Sequence, residues 1–560
     1  MPFPVGTLRV TAAVALLALS LAACDDDDNT NPPATPPAPT GLAAELSDDG
    51  TSVEVSWNAV TGATSYVLER AEGSPPGAFT EPADTITGTA YTDTDITAGT
   101  AYSYHVAAVN DAGTGNFSST VTVGGGEPGE AVDTLTGDIS ENLALSADTL
   151  YVLSGFVKVL DGATLTIPAG TTIVGDTAVP GSSLYILRGA QIDAQGTATE
   201  PIVFTSMRPE GSRAPGDWGG IVIVGNGIIN KIGTVATEGP LEAAQTYSGG
   251  TDNADNSGTL RYVRIEFAGY DVSAGAGQEL NSLSMYAVGS GTTLEFVQSL
   301  TGLDDAFEWF GGAVDGRYLV SYESGDDHFD WAEGYRGRNQ FLIGFQSTRV
   351  DPLPGAGSPS SDPEGFEADG CSGDGCDAAF ASDPFSIPVF ANFTLVGSGT
   401  TTTPTEGDIG MVLRRGTGGY LTNGIVARWQ SQGLSVRDQE TEDLRTADSL
   451  NVVNILLAEN GANYDEDGGA DFGTEGSFAG ENHIASAGTA ADLFTSLTPA
   501  SLDWTPLAGS DAESGAGVVV IPTEYTGTFF GEALENTTYF GAAEPAGEKW
   551  WEGWTRYATE

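Results

Sequence analysis

A short phrase that returns at a fixed interval constrains the fold of this chain more than any other feature. Residues 304–309 read DDAFEW, and residues 326–331, 22 positions later, read DDHFDW. Apolar runs of strand length recur on both sides of this pair, separated by turns of variable length. About 20 residues with two or three strands make one coil of a stacked solenoid. The sequence therefore predicts an all-β chain whose main part, residues 131–522, is a parallel β-helix.

The composition agrees with a β-rich fold and excludes one class of function. Glycine supplies 76 of the 560 residues, which favours turns and strands over long helices. Lys and Arg number 20 against 77 Asp and Glu, a net charge of −57. Such a chain has no basic face for phosphates, so nucleic-acid binding is excluded. The acidity fits either a protein that works in high salt or a surface that collects cations.

The N-terminus reads as an export signal. Residues 10–23 form an apolar run of 14 residues, shorter than the ~20 needed to span a bilayer but typical of a secretory signal. The run ends in Leu-Ala-Ala followed by Cys24, which resembles the lipobox of bacterial lipoproteins. That resemblance implies a signal peptide over residues 1–23 and a palmitate-bearing Cys24. We expect a lipid anchor in the cell envelope, at the outer membrane or the cell surface, with the leaflet left open.

A linker and a small sandwich follow the anchor. Residues 24–38 are acidic and proline-rich, which predicts an extended, solvated linker. Over residues 39–125, short alternating runs between turn signals predict an antiparallel sandwich. The pattern resembles a fibronectin type III domain, with Trp57 and Tyr66 in its core and Tyr102 at its tyrosine corner. The resemblance implies a spacer or an adhesion module.

Two further segments carry specific expectations. Cys371 and Cys376 close a short glycine-rich loop, and in an exported protein this spacing predicts a disulfide. Residues 523–560 form a C-terminal segment rich in aromatic residues, which we expect to cap the last coil, because an open solenoid end must be covered. Its aromatic residues are Trp550, Trp551, Trp554 and Tyr557.

The opening coils extend the argument to a family. Residues 162–167, 189–194 and 201–205 resemble right-handed β-helices of the pectin-lyase-like superfamily. Residues 302–337 and 550–555 resemble, more narrowly, uncharacterised secreted bacterial β-helix proteins. These resemblances imply a fold and no particular activity.

The repeat also stacks acidic residues. If Phe307, Phe329 and Phe366 point into the solenoid, the residue after each points out, and the three lie one above another at ~4.8 Å. Like charges at this distance repel unless a cation bridges them or their pKa values rise. Oxygen ligands favour calcium over zinc. The column is therefore either an outward acidic wall tolerated in a salty medium, which we favour, or a site for calcium or another hard cation. Its residues would be Asp304, Glu308, Asp326, Asp330 and Glu367.

Catalysis is the competing interpretation. Gly325-Asp326-Asp327 resembles an element of polygalacturonase-type hydrolases, which use two carboxylates, although the histidine and arginine elements of that family are missing around it. Pectate lyases pair calcium-binding aspartates with a basic residue. Arg414, Arg415 or Arg437 could approach the acidic column as that base, but we expect Arg336 or Arg338 to pair with the column. The carboxylates of a polysaccharide lyase or hydrolase would be Asp304, Asp305, Asp326, Asp327, Asp330 and Glu367.

Weaker signals complete the analysis. Residues 465–471 have the composition of a calcium loop, but position 476, where a closing Glu would stand, is Gly. Trp309 and Trp331 share the parity of the inward phenylalanines, so we expect them to stack inside the solenoid. Together these features favour an envelope lipoprotein whose β-helix binds a polysaccharide or another surface component such as a protein, in an adhesive or structural role.

Overall fold

The computed structural model of the protein describes residues 35–47, 52–72, 79–82, 85–96, 101–124, 131–240, 243–272, 279–352, 354–361, 363–399, 408–465, 472–517, 529–530 and 532–557. The predicted signal peptide, Cys24 and most of the linker lie outside these residues. The chain divides into two compact units, the first of which ends at Val123. Among the described residues, no helix combines the length and the apolar character that crossing a membrane requires.

The first unit is an antiparallel sandwich. One sheet has the order β1-β2-β4, and the other has the order β3-β5-β6 with β7 also paired to β5. Side chains in β2 alternate between buried and exposed, as expected for a strand with one face on the core. Trp57, Tyr66 and Tyr102 are buried, which confirms their predicted place in the core. The strands are β1 Ala43–Leu46, β2 Val53–Ser56, β3 Ser65–Glu72, β4 Ala90–Asp93, β5 Ala101–Asn110, β6 Gly113–Phe117 and β7 Val121–Gly124.

The second unit is a parallel β-helix, as predicted. One continuous sheet system links 24 strands, in which strands of successive coils pair in parallel and in register. The strands are β8 Ala131–Ile139, β9 Leu143–Ala144, β10 Thr149–Val159, β11 Thr164–Ile167, β12 Thr172–Gly175, β13 Ser183–Ile186, β14 Gln191–Gln195, β15 Ile202–Ser206, β16 Gly220–Val224, β17 Gly258–Glu266, β18 Leu283–Tyr286, β19 Thr293–Leu300, β20 Phe307–Phe310, β21 Asp315–Tyr322, β22 Phe329–Ala332, β23 Arg338–Phe345, β24 Glu364–Asp369, β25 Val389–Val396, β26 Ile409–Arg414, β27 Gly419–Ala427, β28 Gln432–Val436, β29 Leu450–Ala458, β30 Ala462–Tyr464 and β31 His483–Ala485.

From β17 onward, each coil joins one short strand to one long, bent strand. The bend falls at the same register position in seven long strands, where a non-glycine residue has a φ between 50° and 62°. This left-handed conformation divides the long strand between two faces of the coil. Stacking along the column offsets the strain of positive φ, and asparagine tolerates it best. The seven residues are Tyr262, Phe296, Tyr318, Phe341, Asn392, Asn423 and Asn454.

The interior of the solenoid holds the predicted tryptophans. Trp309 and Trp331 are fully buried and pair in strand register. The rings themselves stack on other partners, Trp309 on Tyr335 with centroids 5.4 Å apart and Trp331 on Phe390 at 4.5 Å. Both tryptophans therefore serve the core and offer no platform to a sugar.

Short elements and the disulfide complete the unit. Cys371 and Cys376 are joined, with their Cα atoms 5.7 Å apart, as the spacing predicted. The helix α1 begins after Asp438, whose side chain accepts a hydrogen bond from the N–H of Thr441. The remaining elements are α1 Gln439–Thr446, β32 Phe494–Ser496, β33 Asp503–Pro506 and the 3₁₀ turns Glu475–Phe478, Ala490–Asp492 and Pro499–Ser501.

The described part of the C-terminal segment does not cap the last coil, so that prediction is wrong. The segment, residues 532–557, lies along the side of the middle coils. Trp554 meets the edges of Tyr262 and Phe296, each at 5.9 Å, and Trp550 packs on Tyr318 at 5.1 Å. The physical reason is the aromatic column at the strand bends, whose rings stack 4.3–5.1 Å apart on the outside of the solenoid and need a cover.

Paired hydrogen bonds fix the register of this segment. Gln298 donates to the carbonyl of Arg556 at 2.6 Å and accepts from its N–H at 2.8 Å. Gln340 does the same with Glu535, at 2.8 and 2.9 Å. Each glutamine thereby satisfies one donor and one acceptor of a backbone that has no strand partner there.

Candidate cation-binding site

The predicted acidic column exists. Phe307 and Phe329 stack inside the solenoid with their rings 5.4 Å apart, and the residue after each pairs across the coils. Glu308 pairs with Asp330, and Asp330 pairs with Glu367. Three successive short strands, β20, β22 and β24, therefore each supply one carboxylate to the same register position.

The acidic column ends at a neutral residue on the coil before it and on the coil after it. Ser284 occupies the position of Glu308 on the preceding strand, and Val412 occupies that of Glu367 on the following one. The acidic stack is thus confined to three coils. Acidity spread evenly over the solenoid, as expected of salt adaptation alone, would not stop at these boundaries.

A denser group of carboxylates lies where the chain enters the same three strands. One oxygen from each member of three overlapping triplets lies within 4.8 Å of the others in its triplet. Three of the six members are buried and three are half-buried, and each triplet draws on two successive coils. We call this group the carboxylate cluster; its triplets are Asp304 with Asp305 and Asp326, Asp305 with Asp327 and Asp330, and Asp326 with Asp327 and Glu364.

Backbone hydrogen bonds hold the cluster in place. The N–H of Asp327 donates to Oδ1 of Asp305 at 2.9 Å, and the N–H of Glu364 donates to Oδ1 of Asp327. Asp305 and Asp327 thus each use one oxygen to accept a hydrogen bond from the backbone of the next coil. Oδ1 of Asp326 and Oδ1 of Asp330 are buried and have no hydrogen-bond partner. Buried oxygens of this kind are costly unless a proton or a cation satisfies them.

Burial and mutual repulsion set the protonation of the cluster. Burial raises the pKa values of Asp305, Asp326 and Asp327 well above the usual range, and the neighbouring carboxylates raise them further. Burial likewise raises the pKa of Asp330 to about 8, with a further rise from Asp369. Without a cation, the cluster is therefore partly protonated near neutral pH.

Two predicted ligands have other partners. Glu308 is 7% exposed and accepts a hydrogen bond from the side chain of Asn281. Glu367 forms an ion pair with Arg414. Neither belongs to a triplet. The ligand role of Glu308 and Glu367 stays a prediction, and Glu308 also shares a side-chain hydrogen bond with Asp330. Asp304, Asp326 and Asp330 each belong to at least one triplet.

The arginines that pair with the column are not the expected ones. Arg414 ends β26 directly above Asp369 in strand register, so it reaches both Glu367 and Asp369, the latter at 3.0 Å. Arg415 also pairs with Asp369. The expected partner Arg338 belongs to a long strand, where it pairs with Asp315. The other expected partner, Arg336, donates to the carbonyl of Phe385 at 3.2 Å, while Arg437 donates to Ser435 at 3.3 Å.

Two groups near the cluster that could transfer a proton or supply positive charge, His328 and Arg414, already have structural partners. His328 is 2% exposed, its Nδ1 lies 2.6 Å from Oγ of Ser321, and burial lowers its pKa to about 3. Arg414 is neutralised by the two carboxylates that it contacts. A neutral, enclosed imidazole and an ion-paired guanidinium are poorly suited to act as a general base.

Sequence reasoning missed Glu364 and Glu238. The register could have found Glu364, because it stands two residues before Phe366 as Asp327 stands two before Phe329. Glu238 carried no such signal, because it lies in the loop between β16 and β17. Burial raises its pKa to about 8, and it accepts a hydrogen bond from Tyr286 at 3.3 Å. Of the acidic loop 465–471, only Asp465 lies within the described residues.

Family comparison agrees with this architecture. A family model described as a pectate-lyase-like β-helix domain matches residues 137–498. The chain belongs to that family. A fibronectin type III model matches residues 37–124. A pectate-lyase-like β-helix joined to a fibronectin type III domain indicates a surface or carbohydrate-related protein.

Individual relatives match only a small part of the chain. A poly(3-hydroxybutyrate) depolymerase of Ralstonia pickettii is 42% identical over 99 residues, and chitinase C of Streptomyces lividans is 42% identical over 112 residues; each match covers 18% of this chain and 16% of the relative. A solved Fn3-like protein from Clostridium thermocellum is 38% identical, with a TM-score of 0.15, over 16% of this chain and 92% of its own. The chain thus spans about a sixth of the two enzymes, and these matches fit the fibronectin type III domain alone.

Proposed function

We propose that this pectate-lyase-like β-helix protein is a lipid-anchored envelope protein that binds a hard divalent cation, calcium above all, and presents its β-helix to carbohydrate or another surface component. The two domains support a surface role. The commitment of His328 and Arg414 to structural contacts supports binding in place of polysaccharide cleavage.

One observation carries the cation proposal: three interlocking triplets from successive coils bring carboxylate oxygens within 4.8 Å. Two of those residues, Asp326 and Asp330, have a buried oxygen without a hydrogen-bond partner. A hard cation that takes six to eight oxygen ligands would satisfy these atoms and cancel the repulsion. The set contains carboxylates only, which suits calcium and disfavours zinc.

Calcium is expected to stabilise the protein and to depend on Asp326. At free calcium ~100-fold above the dissociation constant, the free energy of unfolding should rise by ~2.7 kcal/mol, seen as a higher melting temperature. Asp326→Asn should abolish this gain, because Asp326 belongs to two of the three triplets. The same change should leave the chelated protein as stable or more stable, since it removes one repelling charge.

Asp351→Asn is the matched control, because Asp351 is exposed and lies outside the cluster. It removes the same charge and should keep the full calcium gain. If chelator leaves the wild-type melt unchanged and calorimetry detects no heat of calcium binding, the cation proposal is wrong.

The lipid anchor makes a separate prediction. Replacing Cys24 with Ala should prevent incorporation of radiolabelled palmitate and block cleavage after residue 23, because lipidation of the cysteine thiol precedes signal removal in bacterial lipoproteins. Labelling of whole cells followed by immunoprecipitation measures both effects. Wild-type protein that incorporates no label would contradict the anchor.

Carbohydrate binding can be tested on protein that begins at Asp25. A glycan array probed in calcium and in chelator would show which oligosaccharides bind and whether the cation supports binding. Shortened oligosaccharides recovered after incubation would favour the alternative, a lyase or hydrolase.

A further inference from the structure

A cleft of about 730 Å³ opens on the β-helix beside the carboxylate cluster. This volume lies in the ~300–1,000 Å³ range of small-molecule sites. The apolar part of its lining consists mainly of Phe156, Val179, Pro180, Pro240 and Tyr270. Val179 is 40% exposed, so an apolar surface faces the open cleft.

Hydrogen bonds between two chain segments hold the lining of the cleft in place. The hydroxyl of Tyr270 donates to the carbonyl of Gly355 at 3.3 Å, and the N–H of Asp271 donates to the carbonyl of Ala356 at 3.0 Å. These bonds join the segment after β17 to the loop after β23. Gly181, next to Pro180, lets its segment approach Tyr270 and Val272 closely, since a Cβ there would lie 3.0 Å from Val272 and 3.6 Å from Tyr270.

The polar part of the lining is acidic. Asp271 and Glu279 pair as an isolated antiparallel bridge, and both line the cleft. Both also act electrostatically on Asp304, which links the cleft to the carboxylate cluster. Among the described residues that line the cleft there is no lysine or arginine.

We propose that this cleft binds amine-bearing sugar residues, such as those of a glucosamine polymer, with Asp271 and Glu279 accepting hydrogen bonds from the protonated amine. This inference rests on the proposed function, because it names the carbohydrate. The apolar faces of Tyr270 and Phe156 suit the C–H face of a pyranose ring. A charge-assisted hydrogen bond from an ammonium group is stronger than one from a neutral hydroxyl.

Charge decides between classes of sugar. An acidic sugar would meet two carboxylates in the cleft, further carboxylates beside it, and a net charge of −57. The same field concentrates cations and speeds their arrival. An amine-bearing sugar is the carbohydrate that matches both the aromatic wall and the carboxylates.

Binding of a glucosamine tetrasaccharide and of its N-acetylated counterpart, measured by calorimetry at pH 6 with the protein that begins at Asp25, tests the proposal. The deacetylated sugar should bind at least tenfold more tightly. The double variant Asp271→Asn, Glu279→Gln should reduce its affinity at least tenfold. The control variant Asp351→Asn, Asp448→Asn removes the same charge from exposed positions outside the cleft and should bind as wild type does.

Each contrary result has a distinct meaning. If both double variants lose affinity for the deacetylated sugar equally, the sugar is attracted by net charge alone. That result would overturn the assignment of the binding site to the cleft. If the acetylated sugar binds as tightly as the deacetylated one, recognition of the amine is wrong, while the proposed carbohydrate function stands. A tetralysine peptide that binds as tightly would assign the cleft to basic peptides. Absence of binding by both tetrasaccharides would overturn this inference alone, because the carbohydrate part of the proposed function is decided by the glycan array and calcium binding is measured separately.

Discussion

Replacing Trp554 with Ala is expected to destabilise the β-helix by about 3–5 kcal/mol, the usual cost of removing a fully buried tryptophan. Trp554 is fully buried and makes T-shaped ring contacts with Tyr262 and Phe296. Its indole N–H also donates to the carbonyl of Trp550 at 2.7 Å. The loss would open a cavity over the aromatic column and leave that carbonyl without its donor. Urea unfolding followed by tryptophan fluorescence and circular dichroism measures the effect.

Glu552 provides the matched control two residues away. Its side chain is 64% exposed and pairs with Lys549 at 3.2 Å, a surface contact worth about 0–1 kcal/mol. Glu552→Ala should therefore unfold almost as the wild type does. If the two variants unfold at the same urea concentration, the C-terminal segment is not a structural part of the solenoid. Trp554→Phe, which keeps part of the ring contact, should fall between them.

The metal-free protein is expected to lose stability as the pH rises from about 4 to about 8. The pKa of Asp330 is raised to about 8 in the fold, chiefly by burial, so the folded chain retains a proton that the unfolded chain releases near 3.8. Stability falls with pH wherever the folded state holds more protons. One pKa unit corresponds to about 1.4 kcal/mol, so the total change is on the order of a few kcal/mol. Urea unfolding in chelator at pH 5 and pH 8 tests the sign.

The direction of the change in stability with pH separates two cases. If ion pairs held the carboxylates ionised, the free energy of unfolding would rise, not fall, as the pH increases through the acidic range. Asp330→Asn should flatten the fall, and saturating calcium should remove most of it by replacing protons at pH 8. A wild-type protein in chelator that is equally stable at both pH values would show that the carboxylates stay ionised without a cation. Water would then have to reach the ionised carboxylates of the cluster.

The sequence predicted those parts of the molecule that depend on period and parity. The 22-residue interval placed Phe307 on Phe329, and parity then placed Glu308 and Asp330 in one outward column. The same logic, applied once more, would have found Glu364. Local composition also identified the sandwich core around Trp57, because alternation along a single strand is enough to mark a buried face.

Features that depend on contacts between distant segments could not be predicted. Arg414 reaches Glu367 because the 39 residues between β24 and β26, which include β25, return the chain to the next coil, and no local sequence pattern indicates that register. The path of residues 532–557 depends on an aromatic column that begins at Tyr262, nearly 300 positions earlier. Glu238 and Asp271 come from loops whose position relative to the coils is set by tertiary contacts.

The path of the C-terminal segment has a consequence for biogenesis. Stacked coils can form one after another as a chain is synthesised, since each coil needs only the one before it. The aromatic strip on the middle coils, however, is covered by Trp550 and Trp554, which are made more than 200 residues after the strip itself. The growing solenoid therefore exposes Tyr262, Phe296 and Tyr318 until residues 550–554 have been made, and during that interval the uncovered aromatic strip is a surface on which chains can aggregate.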